Sequence, residues 1–91
     1  MDKTNAQRIF NALDLETLEP STPTGVRYTT RVDGTVGFAY GDSSHRCTIM
    51  EDGEEFTMVF THMEDFSSVE DRRFHSIPLH RLRSTFEKYV S

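Results

Sequence analysis

Two groups of charged side chains are the residues of this chain with the clearest capacity for chemistry. The acidic group crowds one predicted turn and consists of Glu51, Asp52, Glu54 and Glu55. The basic group lies in the C-terminal part and consists of Arg72, Arg73, Arg81 and Lys88. Carboxylates on a rigid hairpin can imitate nucleic-acid phosphates, whereas arginine and lysine bind phosphates or acidic protein surfaces. We predict both groups as partner-binding residues, although charge runs are also common on plain solvated surface.

Histidines supply the alternative chemistry, which is acid–base catalysis. His62 and His75 are the candidates, since imidazole titrates near neutral pH. Histidines that transfer protons, next to arginines that bind phosphate, would suit the active site of a small nuclease or phosphodiesterase. The five glycines form no phosphate-binding loop and are accounted for by turns and strands. We therefore predict that the chain is not an enzyme and has no catalytic residues, and we keep the nuclease as the alternative.

A metal site is not predicted. His45 and Cys47 are two residues apart on a predicted strand and so share a face. The chain has no C-x-x-C or H-E-x-x-H spacing, which typical zinc sites use. The single cysteine is expected to be buried and inert. We predict no metal and no cofactor.

Length and charge narrow the class of protein. Ninety-one residues correspond to one domain, 1–91. The net charge of −5 argues against a non-specific nucleic-acid binder, which would be basic overall. The first ten residues lack the apolar run of a signal peptide, and no stretch is long and apolar enough to span a membrane. A cytoplasmic protein with no membrane partner is the expectation.

Four stretches with alternating apolar residues must position these groups. They predict an antiparallel meander with one apolar face, over Val26–Val32, Thr35–Tyr40, His45–Met50 and Phe56–His62. The other face would carry Arg27, Arg31, Arg46 and several threonines, either as a solvated surface or as a flat docking surface.

Turn residues predict the register of the first hairpin. A three-residue loop of Val32, Asp33 and Gly34 would set Tyr28 opposite Phe38. A two-residue loop would instead turn the apolar side chains of the second strand to the wrong face.

The next two hairpins follow in the same way. A loop over 41–44 sets Phe38 opposite Cys47. A type I′ turn at 52–53 would set Cys47 opposite Met58.

Helices are predicted at both ends of the chain. Thr4 is the expected N-cap of a helix over Asn5–Asp14. Met63–Asp71 is expected to be an irregular acidic loop, followed by an optional short fifth strand over Arg72–Ile77, in which Phe74 and Ile77 would face opposite sides. Pro78 would begin the second amphipathic helix. The predicted fold class is α+β.

In its organisation the chain resembles the small phage-encoded inhibitors of bacterial CRISPR effector complexes. The resemblance lies in the order helix, meander, helix, with helices at Thr4–Leu13 and Pro78–Val90, and in the acidic segment Glu51–Glu55 beside the basic segment Arg72–Lys88. It implies a compact inhibitor without an active site, which acts in the host cytoplasm by blocking the access of target DNA to the effector. No residue role is carried over from these inhibitors.

We therefore predict a non-enzymatic binding protein that docks on a protein or ribonucleoprotein complex of a bacterial host, with nucleic-acid phosphates as further contacts. The alternatives are the nuclease with His62 and His75 and a structural module that forms a homodimer through the sheet edge. A monomer and a homodimer are both compatible with the sequence.

Overall fold

An antiparallel meander of five strands forms the body of the protein, and two helices pack on one of its faces. The computed structural model describes residues 3–13, 26–32, 35–40 and 44–90, and it describes side chains from 7–13, 35–40 and 44–90. The elements in chain order are α1 (Lys3–Leu13), β1 (Val26–Val32), β2 (Thr35–Tyr40), β3 (His45–Asp52), β4 (Glu55–Glu64), β5 (Ser67–Ile77), a 3-10 turn (Leu79–Arg81) and α2 (Leu82–Val90). The predicted α+β class, with an antiparallel meander and a helix near each end, is confirmed.

The core lies between the helices and the apolar face of the sheet. Ile9 from α1 and Leu82 and Phe86 from α2 are fully buried against this face. Phe86 meets Phe38 edge to face, with ring centroids 5.2 Å apart. The helical spacing of these apolar residues is therefore a packing stripe, as predicted. Helix α1 begins at Lys3, so Thr4 lies in its first turn and not at the predicted cap.

The register of β1 against β2 differs from the prediction. Val32 pairs with Thr35, so the loop contains only two residues, which lie outside the described part of the chain. Thr29 rather than Tyr28 is opposite Phe38. An irregularity between Val26 and Tyr28 restores the predicted pairing of Val26 with Tyr40. A bulge inserts one extra residue, which compensates for a short loop in a way that the sequence does not reveal.

The β2–β3 pairing is confirmed, with Phe38 opposite Cys47, but the β3–β4 pairing is shifted by two residues. Cys47 pairs with Phe60 and not with Met58, because the turn consists of Gly53 and Glu54. Gly53 has a φ of 70° at the first loop position, which is the pattern of a type II′ turn. A shift of two residues keeps every side chain on its predicted face.

Strand β5 overturns the predicted loop at Met63–Asp71. It runs from Ser67 and forms the edge of the sheet beside β4. Most of its side chains are exposed, so it lacks the alternation that identifies a half-buried strand. The pairing of β4 with β5 is irregular between Phe56 and Met58, and on β5 Ser76 has a φ of 56°. This irregularity brings Phe74 and Ile77 into the same core, although simple alternation would place them on opposite faces.

The face away from the helices is not uniformly solvated. Ala39, Thr57 and Val59 occupy this face by their register, and all three are buried. The prediction of a solvated outer face is therefore wrong for these central positions. The sequence also predicts Arg27 and Arg31 on this face, but their side chains lie outside the described part of the chain.

Candidate functional site

A groove between β5 and α2 brings two members of the basic group together. It has a volume of about 490 Å³ and is lined by Arg72 and Phe74 from β5 and by Thr85, Lys88 and Tyr89 from α2. Arg72 and Lys88 are exposed, whereas Phe74 and Tyr89 are half-buried. The groove therefore combines an exposed cationic border with a half-buried aromatic base.

Strand and helix periodicity place these side chains on one side. Phe74 pairs with Met58, and Arg72 pairs with Phe60, so both point to the face that carries α2. On α2, Leu82 and Phe86 point into the core, which leaves the flank with Thr85, Lys88 and Tyr89 to border β5.

Ring packing holds the base of the groove in place. Tyr89 stacks on the fully buried Phe60 with ring centroids 3.9 Å apart, and it meets Phe74 edge to face at 6.1 Å. The guanidinium carbon of Arg72 lies 5.1 Å from the centroid of the Phe74 ring. This cation–π contact restrains Arg72 and leaves its fork of N–H donors for a ligand.

The groove suits a planar group that carries negative charge. Arginine binds phosphate or carboxylate oxygens through two parallel hydrogen bonds, and lysine adds a point charge. Exposed parts of aromatic rings accept bases of single-stranded nucleic acid by stacking. Arg72 and Lys88 with Phe74 and Tyr89 thus form the combination that single-strand binding sites use.

The other two basic residues do not line the groove. Arg73 points to the opposite face, where its Nη2 donates to Glu70 Oε1 at 2.7 Å and its Nε donates to Glu70 Oε2 at 3.2 Å. This pairing lowers the pKa of Glu70 and raises the pKa of Arg73. Arg81 lies in the 3-10 turn, where its carbonyl accepts a hydrogen bond from Thr85 Oγ1 at 2.7 Å. The predicted basic group is therefore divided by the fold.

The acidic group is divided as well. Glu51 pairs with the core residue Phe56, whereas the next residue, Asp52, pairs with Glu55 and so belongs to the other face. Glu54 occupies the turn itself and is exposed. Asp52 Oδ2 also accepts a hydrogen bond from Thr57 Oγ1 at 3.2 Å. The four carboxylates surround a hairpin end and do not form a single row.

His62 and His75, the residues of the nuclease alternative, are not brought together. His75 Nδ1 lies 3.3 Å from Thr57 Oγ1, on the face away from the helices. His62 is five residues further along β4 than Thr57 and therefore belongs to the opposite face. Five strand residues span roughly 16 Å, so one substrate atom cannot contact both rings.

His62 forms a pair with a carboxylate. A bulge in β5 leaves Asp71 without a partner in the register, and both of its carboxylate oxygens lie 2.8 Å from His62 Nδ1. Nε2 of the same ring lies 3.9 Å from Glu64. The hydrogen bond to Asp71 is the main cause that raises the pKa of His62.

We expect replacement of Asp71 by asparagine to lower the pKa of His62 toward its ordinary value of 6.5. Because the folded state has the higher pKa, the pair stabilises the fold fully below the pKa of the unfolded chain, and this contribution is lost as the pH rises through the folded pKa. NMR titration of the His62 ring protons measures the pKa, and thermal melts across pH measure the linked stability.

The matched variant for this test is Glu64→Gln, which should lower the pKa of His62 by less, since Glu64 is more distant. An unchanged His62 pKa in Asp71→Asn would contradict the assignment of the shift to this hydrogen bond.

Cys47 is buried, as predicted, and burial raises the pKa of its thiol well above the ordinary value. The reactive thiolate is therefore disfavoured. Among the residues that the structure describes, no three His, Cys, Asp or Glu side chains are placed to hold a metal ion. None of the described helices is long and apolar enough to cross a bilayer.

Sequence reasoning missed the aromatic half of the groove. Phe74 and Tyr89 were assigned only to strand alternation and to the helix stripe. Their positions beside Arg72 and Lys88 along the chain were the available signal, because aromatic residues interleaved with basic ones are typical of nucleic-acid binding surfaces. Comparison of the chain with protein-family models, with curated proteins and with solved structures found no match.

Proposed function

We propose that the chain is a non-enzymatic binding protein that docks on a protein–nucleic-acid complex through the groove between β5 and α2. The observation that carries this proposal is that Arg72 and Lys88 line one groove together with the aromatic rings of Phe74 and Tyr89, with Arg72 over the Phe74 ring. In this function the two cations bind backbone phosphates and the rings accept a base.

The overall charge supports a complex rather than free nucleic acid as the target. With a net charge of −5, the chain as a whole is expected to bind free nucleic acid with low affinity through the cations of the groove, and tight docking needs a protein contact as well. A target that combines basic protein surface with exposed nucleic acid would attract both the acidic surface of this protein and its cationic groove. A ribonucleoprotein has this mixed character.

The specific target that we propose is a CRISPR-type effector complex of a bacterial host, in whose cytoplasm the protein would block the recognition of target DNA. The support is the resemblance in organisation to small phage-encoded inhibitors. Both charged groups are divided by the fold, but two of the cations still line one groove together with aromatic rings, which favours the groove over the carboxylates as the binding surface.

The first test measures binding of a fluorescently labelled single-stranded RNA oligonucleotide by anisotropy at one fixed salt concentration. We expect Arg72→Gln combined with Lys88→Gln to weaken binding by about tenfold or more, since two phosphate contacts are lost. The matched control is Arg46→Gln combined with Arg73→Gln, which removes the same charge from the other face. It should weaken binding by less than about threefold.

Three results would contradict the proposal. Equal losses in the two double variants would mean that total charge, and not the groove, determines binding. A wild-type protein that does not bind the oligonucleotide would remove the basis for a nucleic-acid contact in the groove. Hydrolysis of the oligonucleotide that is abolished by His62→Ala would favour the nuclease alternative.

A further inference from the structure

The end of the β4–β5 hairpin exposes apolar side chains that the fold does not use. The hairpin closes through Asp65 and Phe66, and the side chain of Phe66 is 100% exposed. Met63, one residue from the end of β4, is 53% exposed. A fully exposed phenylalanine contributes nothing to the core, so packing does not account for its place here.

The backbone at this turn makes the phenylalanine more unusual. Asp65 and Phe66 have φ angles of 50° and 67°, which is the left-handed region that a type I′ turn requires at both positions. Asparagine and glycine adopt this region readily, whereas a bulky side chain does so only with steric strain. Neither the turn nor the core favours phenylalanine at this position. Full exposure of a large apolar side chain and an unfavourable backbone conformation are both typical of a residue that binds a partner.

The charge around Phe66 limits the class of partner. The tip carries Glu64 and Asp65, and residues 63–69 contain no lysine, arginine or histidine. Glu70 and Asp71, further along β5, are paired with Arg73 and His62. An acidic tip is repelled by the anionic surface of a membrane, so insertion of Phe66 into lipid is disfavoured. The tip fits an apolar site with a positively charged border.

The chain itself carries such a site, and we propose that the hairpin tip docks in the groove between β5 and α2 of a second copy. Phe66 would pack on Phe74 and Tyr89, and Glu64 and Asp65 would meet Arg72 and Lys88. The charges are complementary, and the groove volume of about 490 Å³ is ample for one aromatic side chain. The inference goes beyond the proposed function and does not depend on nucleic-acid binding.

Strand topology makes the contact reciprocal. Tip and groove lie at two positions along β5, which is the edge strand of the sheet. A twofold axis midway between them, near Val69 and Glu70, places each tip over the groove of the other copy and runs the two β5 strands antiparallel along their edges. A closed dimer therefore contains the tip contact twice.

The dimer should be weak. Two tip contacts and a short edge bury less than the roughly 1,600 Å² of a standard interface. We expect a dissociation constant on the order of 0.1 mM. A dilution series followed by NMR chemical shifts, from about 20 µM to about 1 mM, covers this range. The expected result is concentration-dependent shifts at residues 63–67 and at the groove residues.

Two variants remove the two halves of the contact separately. Phe66→Asn suits the left-handed turn and should keep or raise the melting temperature while weakening association at least tenfold. Arg72→Gln combined with Lys88→Gln should weaken association to a similar degree without changing the tip. The control is Glu54→Gln at the other hairpin end, which should leave the dissociation constant unchanged.

Several outcomes would overturn the proposal. These are the absence of concentration-dependent shifts in the wild type, shifts confined to other surfaces, and association that persists undiminished in either variant. Because oligonucleotide binding is measured separately by anisotropy, failure of the dimer and failure of the proposed function can be told apart.

Discussion

Replacement of Phe60 by alanine should lower the free energy of unfolding by about 3–5 kcal/mol, which is much of the total stability of a small domain. Phe60 is fully buried, and its ring contacts four others, with centroids 3.9 Å from Tyr89, 5.9 Å from Phe74, 6.1 Å from Phe86 and 6.3 Å from Tyr40. Truncation leaves a cavity between β4 and α2 that these rigid rings cannot fill. Urea denaturation followed by circular dichroism measures the loss.

The comparison for this prediction is Thr48→Ala on the neighbouring strand. Thr48 is half-buried on the face away from the helices, and its truncation should cost less than about 1 kcal/mol. Equal destabilisation by the two substitutions would contradict the assignment of the core to the helix-covered face.

Phe60 stabilises the groove as well as the core, because Tyr89 at the base of the groove stacks on its ring. A smaller residue at this position would remove the support of the aromatic base. The variant is therefore unsuitable for testing binding, and the substitutions at Arg72 and Lys88, which lie at the surface, are suitable.

Under the proposed function, reversal of charge in the groove should have the largest effect on binding to the proposed CRISPR-type effector complex. Arg72→Glu combined with Lys88→Glu replaces two attractive contacts with repulsive ones, and we expect a loss of affinity of about 100-fold, or about 2.7 kcal/mol. The same change should abolish inhibition of target-DNA binding by the effector. Surface plasmon resonance at one salt concentration measures the affinity.

The matched variant reverses the same number of charges in the acidic group, as Glu54→Lys combined with Glu55→Lys. A protein that imitates DNA through its carboxylates would lose affinity in this variant and keep it in the other. We expect the opposite order, because arginine predominates among residues that dominate binding energy, whereas aspartate and glutamate are depleted at interfaces. If neither variant loses affinity, the working surface lies outside both groups.

Much of the fold could be predicted because large apolar residues alternate with small or polar ones along the strands in the middle of the sheet. Alternation along β2, β3 and β4 assigned Phe38, Cys47 and Met58 to the core face, where they lie. The two-residue error in the β3–β4 register did not disturb this result, because side chains alternate with a period of two.

Strand β5 and the bulges were beyond this kind of prediction. An edge strand that is exposed over most of its length carries no apolar alternation, so the sequence predicts a loop and a short strand where the structure has the single strand Ser67–Ile77. A bulge depends on how two strands meet, which is why neither the place of Asp71 beside His62 nor that of Ile77 in the core follows from local sequence.

In the candidate site, too, part of the arrangement follows from the sequence and part only from the tertiary structure. The sequence alone determined the types and the number of residues in the basic group, the amphipathic stripe of α2 and the face of the strand on which Cys47 lies. Tertiary structure decided which cations act together, because β5 turns Arg72 toward α2 and Arg73 away from it. It also decided that Phe66 stands exposed at a hairpin end, since the exposure of a side chain depends on the residues that fold around it, and these are distant along the chain.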